Sequence, residues 1–136
     1  MKLEFDIASG DFSKAGRASS RIKKMLKQLQ VDPKVIKRIV VAIYEAEVNV
    51  VAHSVGGKML AEIDGTGITV IVQDNGPGIE DIEKAMQEGY STASKAVRNM
   101  GFGAGMGLPN INRNTDEFTI ESELGVGTVL TFRNNF

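Results

Sequence analysis

The sequence predicts an α+β fold, a two-layer α/β sandwich with helices on one face of a mostly antiparallel mixed sheet. Two observations predict it. Segments of alternating polarity arrive in pairs around glycine-rich turns, which is how hairpins read. Long stretches of helical period fall together in the first half of the chain. Glycine follows the same division. The chain of 136 residues has 15 glycines, yet its first 50 residues hold only Gly10 and Gly16. Regular scaffold therefore comes first, and turns and loops follow.

Residues 2–7, KLEFDI, alternate as a half-buried strand does. Asp11 or Ser13 is the expected cap of a helix reaching about Gln30, with Ala15, Ala18, Ile22, Met25, Leu26 and Leu29 as its apolar stripe. Asp32–Pro33, a cap residue before a proline at the first helical position, starts a second helix that should run to about Ser54. Ile36, Ile39, Val40, Ile43 and Val50 form its core face, and Gly56–Gly57 ends it. Lys58–Ile63 and Ile68–Gln73 read as a hairpin around Gly65–Gly67. Gly76–Pro77–Gly78 breaks the chain, and Ile79–Gly89 reads as a short amphipathic helix. Tyr90 to Gly107 is polar and glycine-rich, without a period. A short helix is expected over Leu108–Asn114, then strands over Phe118–Ser122 and Thr128–Phe132 around a Gly125–Gly127 turn. The order is β-α-α-β-β-α-loop-α-β-β, with no repeat or linker, so one domain is expected over 1–136.

Composition excludes several chemistries. No cysteine means no disulfide, thiolate nucleophile or Cys-based metal site, and a single histidine, His53, rules out a histidine-rich one. A net charge of −1 gives no global pull toward nucleic acid or anionic membrane. No apolar stretch approaches the roughly 20 residues that span a bilayer, and the N-terminus MKLEFDIASG lacks the apolar core of a signal peptide. A cytoplasmic protein is expected.

Three motifs carry chemistry. The first is EAEVNVVAH at 45–53, where Glu45, Asn49 and His53 recur every four residues on one helical face. The Asn49 oxygen is a hard donor suited to Mg²⁺, which takes few protein ligands. Glu45 can orient or deprotonate an attacking hydroxyl or water. Alone, this pattern is equally that of a solvated polar face, and Glu47 points elsewhere on the helix. The second is DNGPGI at 74–79, directly after an apolar strand. It is a strong turn signal in its own right. As a binding element, Asp74 would accept from an adenine amino group while Gly76 and Gly78 admit close backbone approach. The third is GFGAGMGL at 101–108, leading into a helix. Alternating glycines are costly to order and suit backbone N–H groups wrapped around phosphate, although a flexible loop has the same composition. No GK[ST] follows, so it is not a P-loop, and no βαβ unit surrounds it.

Together, in this order and separation, the motifs resemble those of the GHKL ATPases, which share the Bergerat (histidine-kinase-like ATPase) fold. The helix-borne ExxxN is their N box, DxGxG their G1 box, GxGxG their G2 box, and a late Gly-Thr matches Gly127–Thr128. The resemblance runs from about Pro33 to Phe132. It implies ATP and Mg²⁺ as cofactors, Glu45 as catalytic base and Asn49 as the Mg²⁺ ligand. His53 would sit at the helix end near the base pocket. Asp74 would read adenine, with Gly76, Gly78, Ile79 and Thr128 around it. Gly101, Gly103, Ala104, Gly105, Met106, Gly107 and Leu108 would cradle phosphate, with Ser91 and Thr92 at the lid hinge.

The chain's size and its single histidine point away from the gyrase, MutL and Hsp90 branches and from phosphoacceptor-carrying histidine kinases. The sequence is similar to the stand-alone anti-sigma factor and switch-protein serine kinases, above all in GYST at 89–92, GAGMGLP at 103–109 and DEF at 116–118. That similarity implies a serine/threonine kinase acting on a STAS-domain partner, an anti-anti-sigma or scaffold protein, admits a sigma factor as a further partner, and permits a homodimer. One departure is visible: some members carry an arginine just before the last lid glycines, where this chain has Gly103 and Ala104, so Lys95 or Arg98 would have to meet the phosphates. ATP-dependent sequestration of a regulator without phosphorylation, and plain ATP hydrolysis, are the competing readings. Lys14, Arg17, Arg21 and Lys24 also form a basic stripe on the first helix, either a solvated face or a docking surface for an acidic partner or sigma factor.

Overall fold

The computed structural model describes residues 1–8, 10, 12–53, 56–79, 82–87 and 107–136, with the backbone alone at Phe12 and His53. Five strands form one sheet: β1 (Lys2–Ile7), β2 (Gly57–Ile63), β3 (Gly67–Asp74), β4 (Glu117–Glu123) and β5 (Gly127–Asn135). Their order is β1-β2-β3-β5-β4, and every pairing is antiparallel. Among the described residues the helices are α1 (Arg17–Gln28), α2 (Pro33–His53), the short α3 (Ile82–Ala85) and α4 (Gly107–Arg113).

Strand alternation decides which face is covered. Met59, Ala61 and Ile63 of β2, Ile68, Val70 and Val72 of β3, and Leu130 and Phe132 of β5 are buried on one face. They join Ile22 and Leu26 of α1, Ile36, Ile39, Ile43 and Val50 of α2, and Leu108 and Ile111 of α4 in one core. The opposite face, with Leu60, Ile71 and Val129, is only partly covered. The expected sandwich is therefore present, with an antiparallel sheet where a mixed one was expected.

The Asp32–Pro33 start is borne out, since the Asp32 carboxylate accepts from Lys34 N–H at 2.8 Å and proline occupies the first helical position. The first helix departs from expectation. The residue at its N-terminal boundary is Gly16 and not Ser13, and Asp11 lies outside the described residues. A 3-10 turn occupies Phe12–Lys14, and α1 begins only at Arg17, behind Gly16 in a left-handed conformation (φ 100°). Its end is at Gln28, which leaves Leu29 on the surface, 46% exposed. The helix expected over Ile79–Gly89 is confined to Ile82–Ala85 among the described residues. Strands β4 and β5 each extend beyond their predicted limits, because they pair with each other along their length from Glu117↔Arg133 to Glu123↔Gly127.

Candidate functional site

Glu45 and Asn49 are half-buried neighbours on one face of α2. The element that meets them is the start of α4. A methyl group built on Gly107 would lie 3.5 Å from Glu45 Oε2 and 3.9 Å from Asn49 Oδ1. Two oxygens from α2 therefore converge on one glycine at the mouth of α4, with no side chain between them. The sequence joined these residues only through motif order.

Asn110 was not anticipated. Its Nδ2 donates to Glu45 Oε1 at 3.2 Å, and its own Oδ1 accepts from Arg113 Nη2 at 2.7 Å. Gly107, Asn110 and Arg113 recur every three residues, so α4 turns one stripe toward α2. That spacing was visible in GLPNINR and is the signal that could have found Asn110. The placement of α4 comes from buried Leu108, Pro109 and Ile111 and from Asn134, a buried side chain whose Nδ2 donates to Asn114 O at 2.7 Å just past the helix.

The second half of the site is at the end of the sheet. Asp74 closes β3 directly opposite Thr128 of β5, and Thr128 is directly opposite Ser122 of β4. Cβ atoms of such pairs lie about 5 Å apart, so the three side chains form one row. Asp74 Oδ1 accepts from Gly76 N–H at 2.9 Å, folding the DNG turn on itself. Ser122 Oγ, also unanticipated, lies 2.9 Å from Thr128 Oγ1 and accepts from Ile79 N–H at 2.7 Å. One hydroxyl thus ties the DNGPGI turn to the Gly-Thr strand. Thr128 is buried, as a wall residue should be.

The glycines of this turn answer first to protein contacts. Gly78 has φ 82° and a side chain there would lie 2.6 Å from Glu123 O. At Gly127, φ is 147° and a Cβ would strike the Asp74 carbonyl. Both permit the DNGPG turn and the β4–β5 turn to press together, with Gly125 N–H donating to Pro77 O at 3.0 Å. Gly76 is buried. Close approach to a ligand is thus not needed to account for Gly78.

Chain connectivity links the two halves. His53 ends α2, and Gly57, the start of β2, pairs with Asp74. Four residues span at most about 14 Å, so the end of the N-box helix stays within that reach of Asp74's neighbour. Gly107, Leu108, Asp74, Gly76, Gly78, Ile79 and Thr128 are all described. Ser91, Thr92, Lys95, Arg98, Gly101, Gly103, Ala104, Gly105 and Met106 lie outside the described residues. So does the side chain of His53. Among the described residues no three His, Cys, Asp or Glu side chains cluster as a metal site. The available donors are the oxygens of Glu45 and Asn49, a set that suits a hard, water-keeping cation such as Mg²⁺ and not zinc.

Glu47 does point away from this site, and it is not idle. It is 3% exposed and accepts from three backbone N–H groups at the head of α1: Gly16 at 3.1 Å, Ala18 at 3.2 Å and Ser19 at 2.9 Å. This carboxylate, from another helix, accepts the N–H groups that Gly16, which has no side chain, cannot. Beside it, exposed Arg17, Arg21 and Lys24 wall an open concavity of about 820 Å³ that also includes Gly16 and Met25. It shares no residue with the motif cluster.

Comparison with known proteins agrees on one family. A family model described as "Histidine kinase-like ATPase domain" matches residues 10–134. Serine/threonine-protein kinase RsbT of Bacillus subtilis (strain 168) is 37% identical over 95 residues, 67% of this chain and 65% of RsbT. The chain thus matches somewhat less than two thirds of RsbT's length. Anti-sigma F factor of Thermoanaerobacter sp. (strain X514) is 39% identical over 108 residues, 74% of this chain and 72% of that protein. The Anti-sigma F factor of Clostridium kluyveri (strain ATCC 8527 / DSM 555 / NBRC 12016 / NCIMB 10680 / K1) is 32% identical across 100% of this chain and 94% of its own. Among solved structures, the SiaB–SiaC complex from Pseudomonas aeruginosa contains a chain that matches with TM-score 0.56 at 15% identity, covering 98% of this chain and 89% of that one. That likeness carries the fold alone.

Proposed function

Since the chain belongs to the histidine kinase-like ATPase family, with relatives in its stand-alone anti-sigma and switch-kinase branch, we propose that it is a regulatory serine/threonine kinase acting as one domain. It uses MgATP to phosphorylate a STAS-domain partner. The observation that carries this reading is the convergence of Glu45 Oε2 and Asn49 Oδ1 on Gly107. In the reaction, the acceptor hydroxyl oxygen bonds to the γ-phosphorus. The bond to the β–γ bridging oxygen breaks, and ADP leaves with the electron pair. Glu45 takes the hydroxyl proton. Asn49 would hold Mg²⁺, which would supply positive charge to the phosphates. Asp74 accepts from the adenine amino group, with Thr128 behind it. The basic α1 concavity is the docking surface for an acidic face of the partner or of a sigma factor. No described helix is long and apolar enough to cross a membrane, and a cytoplasmic site of action follows from the use of ATP.

The test is label transfer from γ-labelled ATP to STAS-domain proteins of the same genome. The Glu45→Ala variant should lose transfer by about 100-fold or more while its ATP affinity changes little. A protein that binds ATP but labels no acceptor, and whose regulation of a partner survives Glu45→Ala, would instead be a binding module. Gly103 and Ala104, where an arginine could otherwise serve the phosphates, are the feature favouring that second reading.

A further inference from the structure

We infer that Asn110 is a positioning residue for Glu45: it holds Oε1 and leaves Oε2 as the oxygen that receives the proton. This rests on the reading of Glu45 as general base. The two carboxylate oxygens are not equivalent. Oε1 accepts from Asn110 Nδ2 at 3.2 Å, whereas Oε2 faces the glycine at the mouth of α4, on the side of Asn49 Oδ1. The oxygen that Asn110 leaves without its amide is the one that, with Asn49 Oδ1, lies within 4 Å of a methyl built on Gly107.

The chemistry of the neighbours fixes the Asn110 amide. A carboxylate only accepts hydrogen bonds and a guanidinium only donates them. Glu45 therefore demands the NH₂ end of the amide and Arg113 demands its oxygen, and one orientation satisfies both, with Arg113 Nη2 at 2.7 Å from Asn110 Oδ1. A flipped amide would set donor against donor and oxygen against oxygen. The arrangement also survives the chemical step. When the acceptor O–H bond breaks and an Oε2–H bond forms, Oε1 keeps its lone pairs and remains an acceptor for Asn110. The carboxyl group is held before and after transfer, so it does not rotate to offer the wrong oxygen.

Among the described residues, the Asn110 side chain hydrogen-bonds to Glu45 and Arg113, while its backbone carbonyl accepts from Asn114 Nδ2 at 2.8 Å. That backbone bond is independent of the side chain and persists in variants. Misplacing a catalytic group by about 1 Å costs about 100-fold in rate, so the effect of losing the hold should appear in kcat.

The experiment measures steady-state phosphorylation of a STAS-domain protein by the full chain, with ATP affinity measured separately. Asn110→Ala and Asn110→Asp are compared with Glu45→Ala. Asn110→Ala removes the donor facing Glu45 without adding charge, whereas Asn110→Asp keeps the volume and the acceptor for Arg113 but sets a second carboxylate oxygen against Glu45 Oε1. Asn110→Ala should lower kcat about 10-fold or more, with KM for ATP, ATP affinity and melting temperature close to those of the parent, and Asn110→Asp should lower kcat at least as far, its added charge also weakening ATP binding. In the Glu45→Ala background, Asn110→Ala should cost nothing further. A kcat in Asn110→Ala equal to the parent's overturns the inference, as does an equal loss of ATP affinity in that variant or full additivity with Glu45→Ala. If Glu45→Ala abolishes transfer while Asn110→Ala transfers at the parent's rate, only this inference falls. If Glu45→Ala leaves transfer intact, the base assignment falls and this inference with it.

Discussion

Glu47→Ala should destabilise the protein far more than Glu45→Ala, although the two carboxylates are two residues apart on the same helix. Glu47 is buried and accepts from Gly16, Ala18 and Ser19 N–H groups, the bonds to Ala18 and Ser19 being fully buried. Removing the acceptor strands donors that each cost about 1–3 kcal/mol when left unmade. Water entering the vacated space recovers part of this, and measured losses of helix N-caps are about 0.5–2 kcal/mol. Removal of a negative charge from a helix N-terminus adds up to about 2 kcal/mol in partly buried settings. A net loss of about 2–4 kcal/mol follows, a large share of the 5–15 kcal/mol that typically holds a domain together. At about 4 °C per kcal/mol, the melting temperature falls by about 8–16 °C. Glu47→Gln should fall between parent and Ala. Its oxygen can serve one side of the turn, but its NH₂ group then faces the remaining N–H donors. Glu45→Ala loses a single part-buried bond from Asn110, worth about 1 kcal/mol. Urea unfolding followed by far-ultraviolet circular dichroism reads both. A loss below about 0.5 kcal/mol in Glu47→Ala, or equal losses in the two variants, would refute the account of Glu47 as the cap of α1.

Three further outcomes are expected. Gly107→Ala should fold normally, since its methyl would lie 3.5 Å from Glu45 Oε2, an ordinary contact; its ATP affinity, measured by calorimetry, should drop about tenfold, roughly 1.4 kcal/mol, because the methyl enters the gap between the Glu45 and Asn49 oxygens. Gly78→Ala should lose at least about 1–3 kcal/mol in denaturant titration, because φ 82° and a contact of 2.6 Å with Glu123 O both oppose a side chain. Asp64 is held well below the usual carboxylate range by the Thr66 hydroxyl, then the Thr66 N–H and Arg133. The unfolded chain therefore binds that proton more readily. The stabilisation is complete above about pH 5 and fades as pH falls below about 4. The stability gap between parent and Asp64→Asn should be flat from neutral to mild acid and should shrink below that.

Much of the fold was legible because the core elements follow simple periods. The Asp32–Pro33 start and the Gly65–Gly67 and Gly125–Gly127 turns were read from local chemistry that tertiary contacts did not override. The errors occurred where an element's end is fixed by a distant residue. Nothing between Asp11 and Gly16 reveals that α1 is capped from α2, so a local cap was expected and the helix was started too early. The clue lay elsewhere in the chain. Position 47 is four residues from Ile43 and three from Val50, on the apolar stripe of α2, and a carboxylate there needs buried donors. The sequence set Glu47 apart from Glu45 on the helix but gave no sign of which donors it meets. Asn110 was missed for a related reason: it falls outside the glycine run, and only the meeting of α4 with α2 gives it a partner. Ser122 likewise gains its role from register, opposite Thr128 on β5.

The arrangement of α2 bears on how a partner and a nucleotide could influence each other. In a helix, residues two apart point to nearly opposite sides, so Glu45 and Asn49 face α4 while Glu47 faces the head of α1. Gly16, whose N–H rests on Glu47, also lines the basic concavity with Arg17 and Arg21. The proposed docking surface and the proposed catalytic carboxylate are thus held by one rigid helix, through hydrogen bonds on opposite sides of it. A partner that pulled the Gly16 turn away from Glu47 would expose buried N–H groups, at a cost of about 1–3 kcal/mol each. Docking on Arg17 and Arg21 is therefore compatible with the observed position of α1 and opposes its displacement. On this geometry a partner bound at α1 meets a preformed surface, and any adjustment on ATP binding falls to the side of α2 that carries Asn49 and Glu45. Weakening the Glu47 cap should then reduce partner affinity without first altering ATP affinity. The reverse order, ATP affinity lost while partner binding stays intact, would show that the two faces of α2 are not organised in this way.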